Sequence, residues 1–236
     1  MTKKTVAIVQ SNYIPWRGYF DLINSVDEFI LFDEVQYTRR DYRNRNKIID
    51  ATVGAWLTIP VKQKGKFSEK ISSMVVAEGN WAKKHWKTLN ARYSKAQGFR
   101  YYQDLFETTY SKAAELEYLS DINLLFIETI NKILAIDTII SKSSDYGCIE
   151  GKNERLVDLC KKSNAGRYLS GPSALAYLDE TLFTEAGLEL SIFEYGRYCS
   201  YKQNSDKYIP NLSILDLIFN LGPDGKLIFN KKDGSD

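Results

Sequence analysis

The chain has 236 residues, which is enough for one large domain with a substantial core. Its 32 basic and 30 acidic residues leave a net charge of +2, a balance that argues against a nucleic-acid partner. The apolar run Val6–Val9, which follows Lys3 and Lys4, is too short for a signal peptide, and no apolar stretch approaches the ~18 residues of a membrane-spanning helix. We therefore expect a cytoplasmic protein without a membrane span.

The first elements along the chain are two short apolar runs with a helical pattern between them. Val6–Val9 and Phe29–Phe32 have the length and residue types of buried strands, and Phe20, Leu22 and Ile23 have helical spacing. Strands that alternate with helices are typical of a parallel sheet. The start of the chain therefore predicts a strand–helix–strand unit.

Later segments continue this alternation after a polar stretch. Trp56–Val61 and Ile71–Val76 are predicted as strands, and the lysine-rich segment from Lys62 to Lys70 as an exposed loop. From about Asn80 to Ala135 the pattern is almost entirely helical, with Asn80 and Ser120 as predicted helix caps. Further strands are predicted at Thr138–Ser141, Arg167–Leu169 and Leu188–Phe193, and further helices at Asn153–Lys162 and Ile214–Phe219.

These elements predict an α/β fold with a mostly parallel sheet flanked by helices. We expect a single domain over residues 1–236, with residues 80–135 forming a helical layer or subdomain. The three cysteines, Cys148, Cys160 and Cys199, are an odd number without metal-ligand spacing. They predict neither a disulfide framework nor a zinc site, and the sequence names no cofactor.

Polar and aromatic side chains directly follow both amino-terminal strands. Open α/β sheets bind ligands outside the carboxyl ends of their strands, so these side chains predict a substrate site. Arg40, Arg43 and Arg45 form a cationic cluster that suits a phosphate clamp, although a solvated loop has the same composition. The predicted substrate-binding residues here are Gln10, Tyr13, Gln36, Tyr37, Arg40, Arg43, Asn44 and Arg45.

Weaker signals lie elsewhere in the chain. Ser170 and Gly171 end a predicted strand and precede a helix, and we predict that they contact an anionic group of the substrate. Trp16 is predicted to pack in the core rather than to line the site. Neither a Walker loop nor G-x-G-x-x-G occurs, so no standard P-loop or dinucleotide fold is predicted.

Two residues are candidates for the catalytic base, and the sequence leaves both open. His85 is the only histidine of the chain, and its imidazole titrates near neutral pH. Asp33 follows the second strand at the predicted site. Either side chain suits the removal of a proton from an attacking amine.

Four motifs together give the chain a resemblance to a known family. They are QSNYIPWRGYF from Gln10, DEVQY from Asp33, YRNRN from Tyr42 and WLTIPV from Trp56. The chain resembles the WbqC-like family of bacteria, with Ser11 and Tyr42 in place of the usual proline and tryptophan. Further similar segments are WAKKHWKTL, ERLVDLCKK, AGRYLSGPSALAYL and IPNLSILDLIFNLGP.

The resemblance implies a role in surface-polysaccharide or O-antigen biosynthesis. The expected activity is transfer of an acyl or aminoacyl group to a nucleotide-linked amino sugar, with the sugar, the acyl group and its carrier unspecified. An ATP-dependent amide ligase for the same substrates is one alternative. A non-catalytic nucleotide-sugar or protein-binding module is another. A glycosyltransferase is less expected, because the chain lacks an Asp-x-Asp triplet.

Overall fold

A computed structural model of the chain describes residues 3–50, 53–62, 68–77, 79–147 and 149–233. Among these residues no helix is both long enough and apolar enough to cross a membrane. The strands are β1 (Thr5–Val9), β2 (Glu28–Leu31), β3 (Arg45–Ile48), β4 (Ala55–Thr58), β5 (Ile139–Lys142), β6 (Arg167–Ser170) and β7 (Glu189–Ile192). The α-helices are α1 (Arg17–Asn24), α2 (Trp81–Tyr93), α3 (Phe99–Ala113), α4 (Leu119–Leu134), α5 (Glu154–Lys162), α6 (Glu180–Glu185), α7 (Ile214–Leu221) and α8 (Gly225–Ile228).

Five parallel strands form the main sheet in the order β5-β2-β1-β6-β7. Counted along the chain, these are the third, second, first, fourth and fifth strands of the sheet. This is the order of doubly wound nucleotide-binding sheets, whose ligand crevice opens between the first and fourth strands. The predicted α/β class is confirmed. The G-x-G-x-x-G fingerprint of dinucleotide-binding sheets is missing from the sequence. The strand order does not depend on that fingerprint, because the connections between the strands set the order.

Helices cover both faces of the sheet, and successive side chains of a strand point to opposite faces. Ala7 and Phe29 pack in a core cluster with residues of α1, α4 and α7. Val6, Ile8 and Ile30 pack in a second cluster with residues of α5 and α6. Burial on both faces explains why the parallel strands are continuous apolar runs in the sequence.

Strands β3 and β4 form a separate antiparallel hairpin outside the main sheet. Asn46 pairs with Leu57, and both side chains are buried, whereas Trp56 lies 40% exposed on the other face. Gly54 follows the loop with φ of +91°, a conformation that glycine adopts at little cost. The buried face of the hairpin packs against the loop that follows β1, through contacts described below.

The predicted strand at Ile71–Val76 was wrong. A single helical turn occupies Ile71–Ser73, and Val75 and Val76 make only isolated bridges. Ile71 and Met74 are the fully buried residues here, and their spacing of three fits a turn rather than a strand. Helix α4 begins before the predicted cap, so Ser120 lies in its first turn. Asn80 stands at the cap of α2, but its side chain makes no capping bond.

The amino-terminal end of α7 holds the loop after β1 in place. The Ile214 amide donates to the Pro15 carbonyl at 2.8 Å. In the same turn, the buried Asp216 carboxylate accepts hydrogen bonds from the hydroxyls of Tyr93 at 2.9 Å and Tyr201 at 2.7 Å, and from the Gln203 amide at 2.8 Å. Through these bonds α7 ties helix α2 and the segment after β7 to the sheet.

We predict that Tyr93→Phe destabilises the fold by about 1–3 kcal/mol. The Tyr93 hydroxyl also accepts from the Ile49 amide at 2.9 Å, so its removal leaves a buried N–H without a partner. Urea denaturation measures the change in unfolding free energy. Tyr177→Phe is the matched control, since that side chain is 43% exposed. Equal stability of the two variants would contradict this role for Asp216.

Candidate functional site

The loop that leaves β1 is anchored by buried polar side chains. Asp33 accepts a hydrogen bond from the Ser11 amide at 2.8 Å. Asn123, which is fully buried in α4, donates to the Ser11 hydroxyl and to the Arg43 carbonyl, both at 2.9 Å. The ends of β1 and β2, helix α4 and the segment before β3 are therefore joined at one point.

A second amide holds the next turn of this loop. The Asn46 side chain donates to the carbonyls of Tyr13 at 3.2 Å and Ile14 at 3.0 Å. Ile14 has φ of +37°, which is unusual and costly for a β-branched residue. Its side chain is fully buried. The surrounding contacts therefore hold the backbone of this turn in a strained conformation, a property common near functional sites.

The three predicted arginines do not converge into one clamp. Arg43 donates to Asn12 Oδ1 and, at 3.4 Å, to the carbonyls of Gln10 and Ser11, so its guanidinium braces the loop. Arg45 instead donates to the Arg40 carbonyl and stacks 4.1 Å above the Trp56 ring. Arg40 is exposed in a left-handed turn.

Three other predicted binding residues occupy structural or surface positions. The buried Asn44 amide donates to the Ile59 carbonyl at 2.7 Å and fixes the start of the hairpin. Tyr37 is 6% exposed, and its amide donates to the Glu69 carbonyl at 2.9 Å. Gln36 is exposed and forms an isolated bridge with Lys70.

Tyr13 and His85 lie together in a buried network rather than at an open site. The His85 Nε2 atom lies 3.2 Å from the Thr58 carbonyl, so Nε2 carries the proton. Nδ1 then accepts from the Tyr13 hydroxyl at 2.9 Å, and Tyr110 donates to Tyr13 at 2.7 Å. Burial lowers the pKa of His85 to about 4, so its ring is neutral at physiological pH.

Asp33, by contrast, faces a cavity at the carboxyl ends of β2 and β5. The cavity measures about 260 Å³ and is polar. Burial raises the pKa of the Asp33 carboxyl, while the hydrogen bonds from Ser11 and the charge of Arg43 oppose that rise. The other polar residues that line it are Glu34, Ser72, Ser120, Asp121, Lys142, Ser143 and Ser144.

The crevice between the first and fourth strands of the sheet lies beside these residues. The ladder between β1 and β6 includes Thr5 and Val6, whereas β1 pairs with β2 as far as Val9. Gln10 follows β1, and Ser170 with Gly171 ends β6. The Ser170 hydroxyl lies 3.3 Å from that of Tyr168. The structure thus places these three predicted residues at adjacent strand ends, where this topology binds ligands.

An aromatic groove lies along the loop after β1. Its two adjoining depressions, of about 260 and 600 Å³, share Trp16 and Asn211. The Trp16 ring packs 5.2 Å from that of Tyr195, whose hydroxyl approaches Gly171. A Cβ at Gly18 would overlap the Trp16 ring, so this glycine provides the space for it. Trp16 is half-buried and lines the groove, beyond the core role predicted for it.

Several residues of this region gave no usable signal in the sequence. Asn123 lies within the apolar pattern of α4, where Asn131 is a second buried amide, so the pattern alone does not single it out. Lys142 ends β5 and Ser143 follows it, in a strand–turn pattern too common in sequences to mark a site. Cys160 is buried, which raises the pKa of its thiol to about 12, while Cys199 is a half-buried free thiol. Cys148 lies outside the described residues.

The chain belongs to the WbqC-like protein family, whose model matches residues 10–227. It is also similar to a Mycobacterium tuberculosis protein (strain ATCC 25618 / H37Rv) named "Uncharacterized protein Rv1507c". The two are 46% identical over 219 residues, which cover 93% of this chain and 94% of the relative. No solved structure matches the chain.

We predict that stability falls between about pH 6.5 and pH 4 through His85, whose folded pKa is lowered from 6.5 to about 4. In that interval the unfolded state binds more protons than the folded state, so the free energy of unfolding decreases as pH falls. The lowered pKa corresponds to about 3 kcal/mol. Denaturation of wild type and His85→Gln at each pH measures the difference. Parallel pH profiles of the two proteins would contradict the buried, neutral imidazole.

Proposed function

We propose that the protein is an enzyme that transfers an acyl or aminoacyl group to the amine of a nucleotide-linked amino sugar. The family membership supports a role in bacterial surface-polysaccharide (O-antigen) biosynthesis as the setting. The observation that carries the proposal is the doubly wound strand order, with Gln10, Ser170 and Gly171 at the ligand crevice and Asp33 beside it.

The crevice and groove suit the two parts of such a substrate. The strand ends at Gln10 and Gly171 favour the nucleotide, as in other sheets of this order. The groove offers the faces of Trp16 and Tyr42, and such aromatic faces stack on sugar and base rings. Asn12 and Asn211 place amides beside those rings, where they can select among hydroxyl groups.

Asp33 is the base that we assign to this reaction. Its carboxylate accepts hydrogen bonds from Ser11 and faces the polar cavity, and burial raises its pKa, which makes it a stronger base. The carboxylate takes a proton from the sugar ammonium, and the free amine attacks the carbonyl of an activated acyl donor. A C–N bond forms, the bond from the acyl carbon to its carrier breaks, and the carrier leaves with the electron pair. The second proton of the attacking amine passes to the departing carrier.

His85 acts in this proposal as a positioning residue. Both of its ring nitrogens are engaged, and its neutral ring holds the Tyr13 hydroxyl beneath the loop after β1. Its low pKa makes it a weak base. The geometry therefore favours Asp33 over His85 for proton transfer.

An ATP-dependent amide ligase is the second candidate. The same strand order binds nucleotides of many kinds, so the crevice also suits ATP, with the acid activated as an adenylate. The two candidates differ in one requirement. The ligase forms amide from a free acid only with ATP, whereas the transferase uses a preactivated acyl group.

Asp33→Asn is predicted to lower the rate of amide formation by 10²–10⁴-fold, roughly the contribution of a general base. The substitution keeps an oxygen for the Ser11 amide but removes the proton acceptor. Mass spectrometry of mixtures of nucleotide-linked amino sugars with acyl thioesters, or with free acids and ATP, detects the amide product.

Glu128→Gln is the matched control, because Glu128 is an exposed carboxylate on α4. Its rate is expected to equal that of wild type. Absence of an amide product with every donor would contradict the enzyme proposal and favour a binding module. Full activity of Asp33→Asn would contradict the assignment of the base.

A further inference from the structure

Helix α5 brings a basic side chain to the ligand edge of the sheet. The helix connects β5 to β6, two parallel strands, so it runs against them and begins at their carboxyl ends. Its second residue is Arg155, in the segment ERLVDLCKK. The predicted site does not include this segment. Arg155 nevertheless lies on the helix end that faces the crevice.

The Arg155 guanidinium makes no hydrogen bond or ion pair with any other residue that the structure describes. Its Nε atom is buried without a partner, although the side chain as a whole is half-buried. The guanidinium carbon lies 5.8 Å from the centre of the Phe32 ring. Buried polar groups are almost always paired, so the buried Nε leaves room for an acceptor. Arg43 and Arg45 also have a buried Nε without a partner, but their other guanidinium nitrogens are engaged by the protein.

Phe32 puts this guanidinium on the face of the sheet to which the alternation of β1 assigns Gln10. The Phe32 amide donates to the Val9 carbonyl at 2.9 Å, which extends the pairing of β1 with β2 to their carboxyl ends. Val6 and Ile8 face α5, and Gln10 continues that alternation. The half-buried Gln10 side-chain amide also has no hydrogen-bond partner within the described part of the chain. Two polar side chains that lack partners thus lie on the same side of the crevice.

The other arginines near the site are engaged differently. Arg43 braces the loop after β1 and Arg45 stacks on Trp56. Arg167 pairs with Glu189 at 2.7 Å. Arg155 has no such competing partner among the residues that the structure describes, so its donors are open to a ligand. Guanidinium groups bind phosphate oxygens through two parallel hydrogen bonds, which a crevice of this topology commonly requires.

We propose that Arg155 binds a phosphate of the nucleotide-linked substrate, on the α5 side of the sheet, with the Gln10 amide as its neighbour. The identity of the ligand rests on the proposed function, whereas the position of the anion site rests on Arg155 and Gln10. The phosphate contact thus comes from a helix of the carboxyl-terminal half of the chain and not from the predicted cluster at Arg40, Arg43 and Arg45.

Arg155→Met tests this site, because methionine keeps an apolar side chain over Phe32 and removes the guanidinium. The probes are inorganic pyrophosphate and the diphosphates ADP, GDP, CDP, UDP and dTDP, titrated calorimetrically. We expect wild type to bind at least one nucleoside diphosphate and Arg155→Met to bind it at least tenfold more weakly. Arg155→Lys keeps the charge without the fork and is expected to be intermediate.

Lys161→Met is the matched control, since it removes one positive charge from the exposed side of the same helix. Its affinity is expected to equal that of wild type. Equal affinity of Arg155→Met and wild type would overturn the proposal, as would failure of wild type to bind any of the probes. A melting temperature of ligand-free Arg155→Met close to that of wild type shows that lost binding is not lost folding.

The experiments distinguish failure of the proposed anion site from failure of the proposed activity. Weaker binding in Arg155→Met, with wild-type binding in Asp33→Asn, supports the site even if no amide product is found. Amide formation by Arg155→Met with an unchanged KM for the nucleotide-linked sugar would overturn the site and leave the proposed activity standing.

Discussion

The attachment of the loop after β1 to its neighbours is the constraint on which the site depends. Asp33 and Asn123 bind the two polar groups of Ser11, and Asn46 binds the carbonyls of the next turn. These partners are buried, so each lost bond would leave a group without water to replace it. The strained backbone at Ile14 is held by this network.

Around that anchor, the side chains proposed for binding and for proton transfer lie on opposite faces of the sheet. Leu31 packs in the core cluster of α1, α4 and α7, and Asp33 lies two residues beyond it, by a polar cavity. Arg155 and Phe32 lie on the α5 face. A substrate that spans the carboxyl edge would therefore meet a carboxylate on one side and a guanidinium on the other. Such an arrangement keeps opposite charges apart, so neither neutralises the other before the ligand binds.

The sequence predicted the fold better than the site, for physical reasons. The buried strands are apolar runs bounded by polar residues, and this pattern can be recognised in a single sequence. The strand predicted at Ile71–Val76 was wrong because the apolar residues of this segment pack from a helical turn. A run of arginines shows where cations occur but not where each guanidinium points, so Arg43 and Arg45 were grouped although they serve different neighbours. Arg155 lies more than a hundred residues from Gln10, and only the chain topology brings them together.

Amide chemical-shift mapping with a nucleoside diphosphate tests the central claim most directly. The account predicts that the largest shifts fall at the carboxyl ends of β1, β2 and β6 and at the start of α5, around Gln10, Phe32, Arg155 and Gly171. The amide shifts of Val157 and Leu182, which line a separate depression between α5 and α6, should change little. Largest shifts on the outer face of the β3–β4 hairpin, or uniformly small shifts across the chain, would contradict a nucleotide site at the carboxyl edge of the sheet.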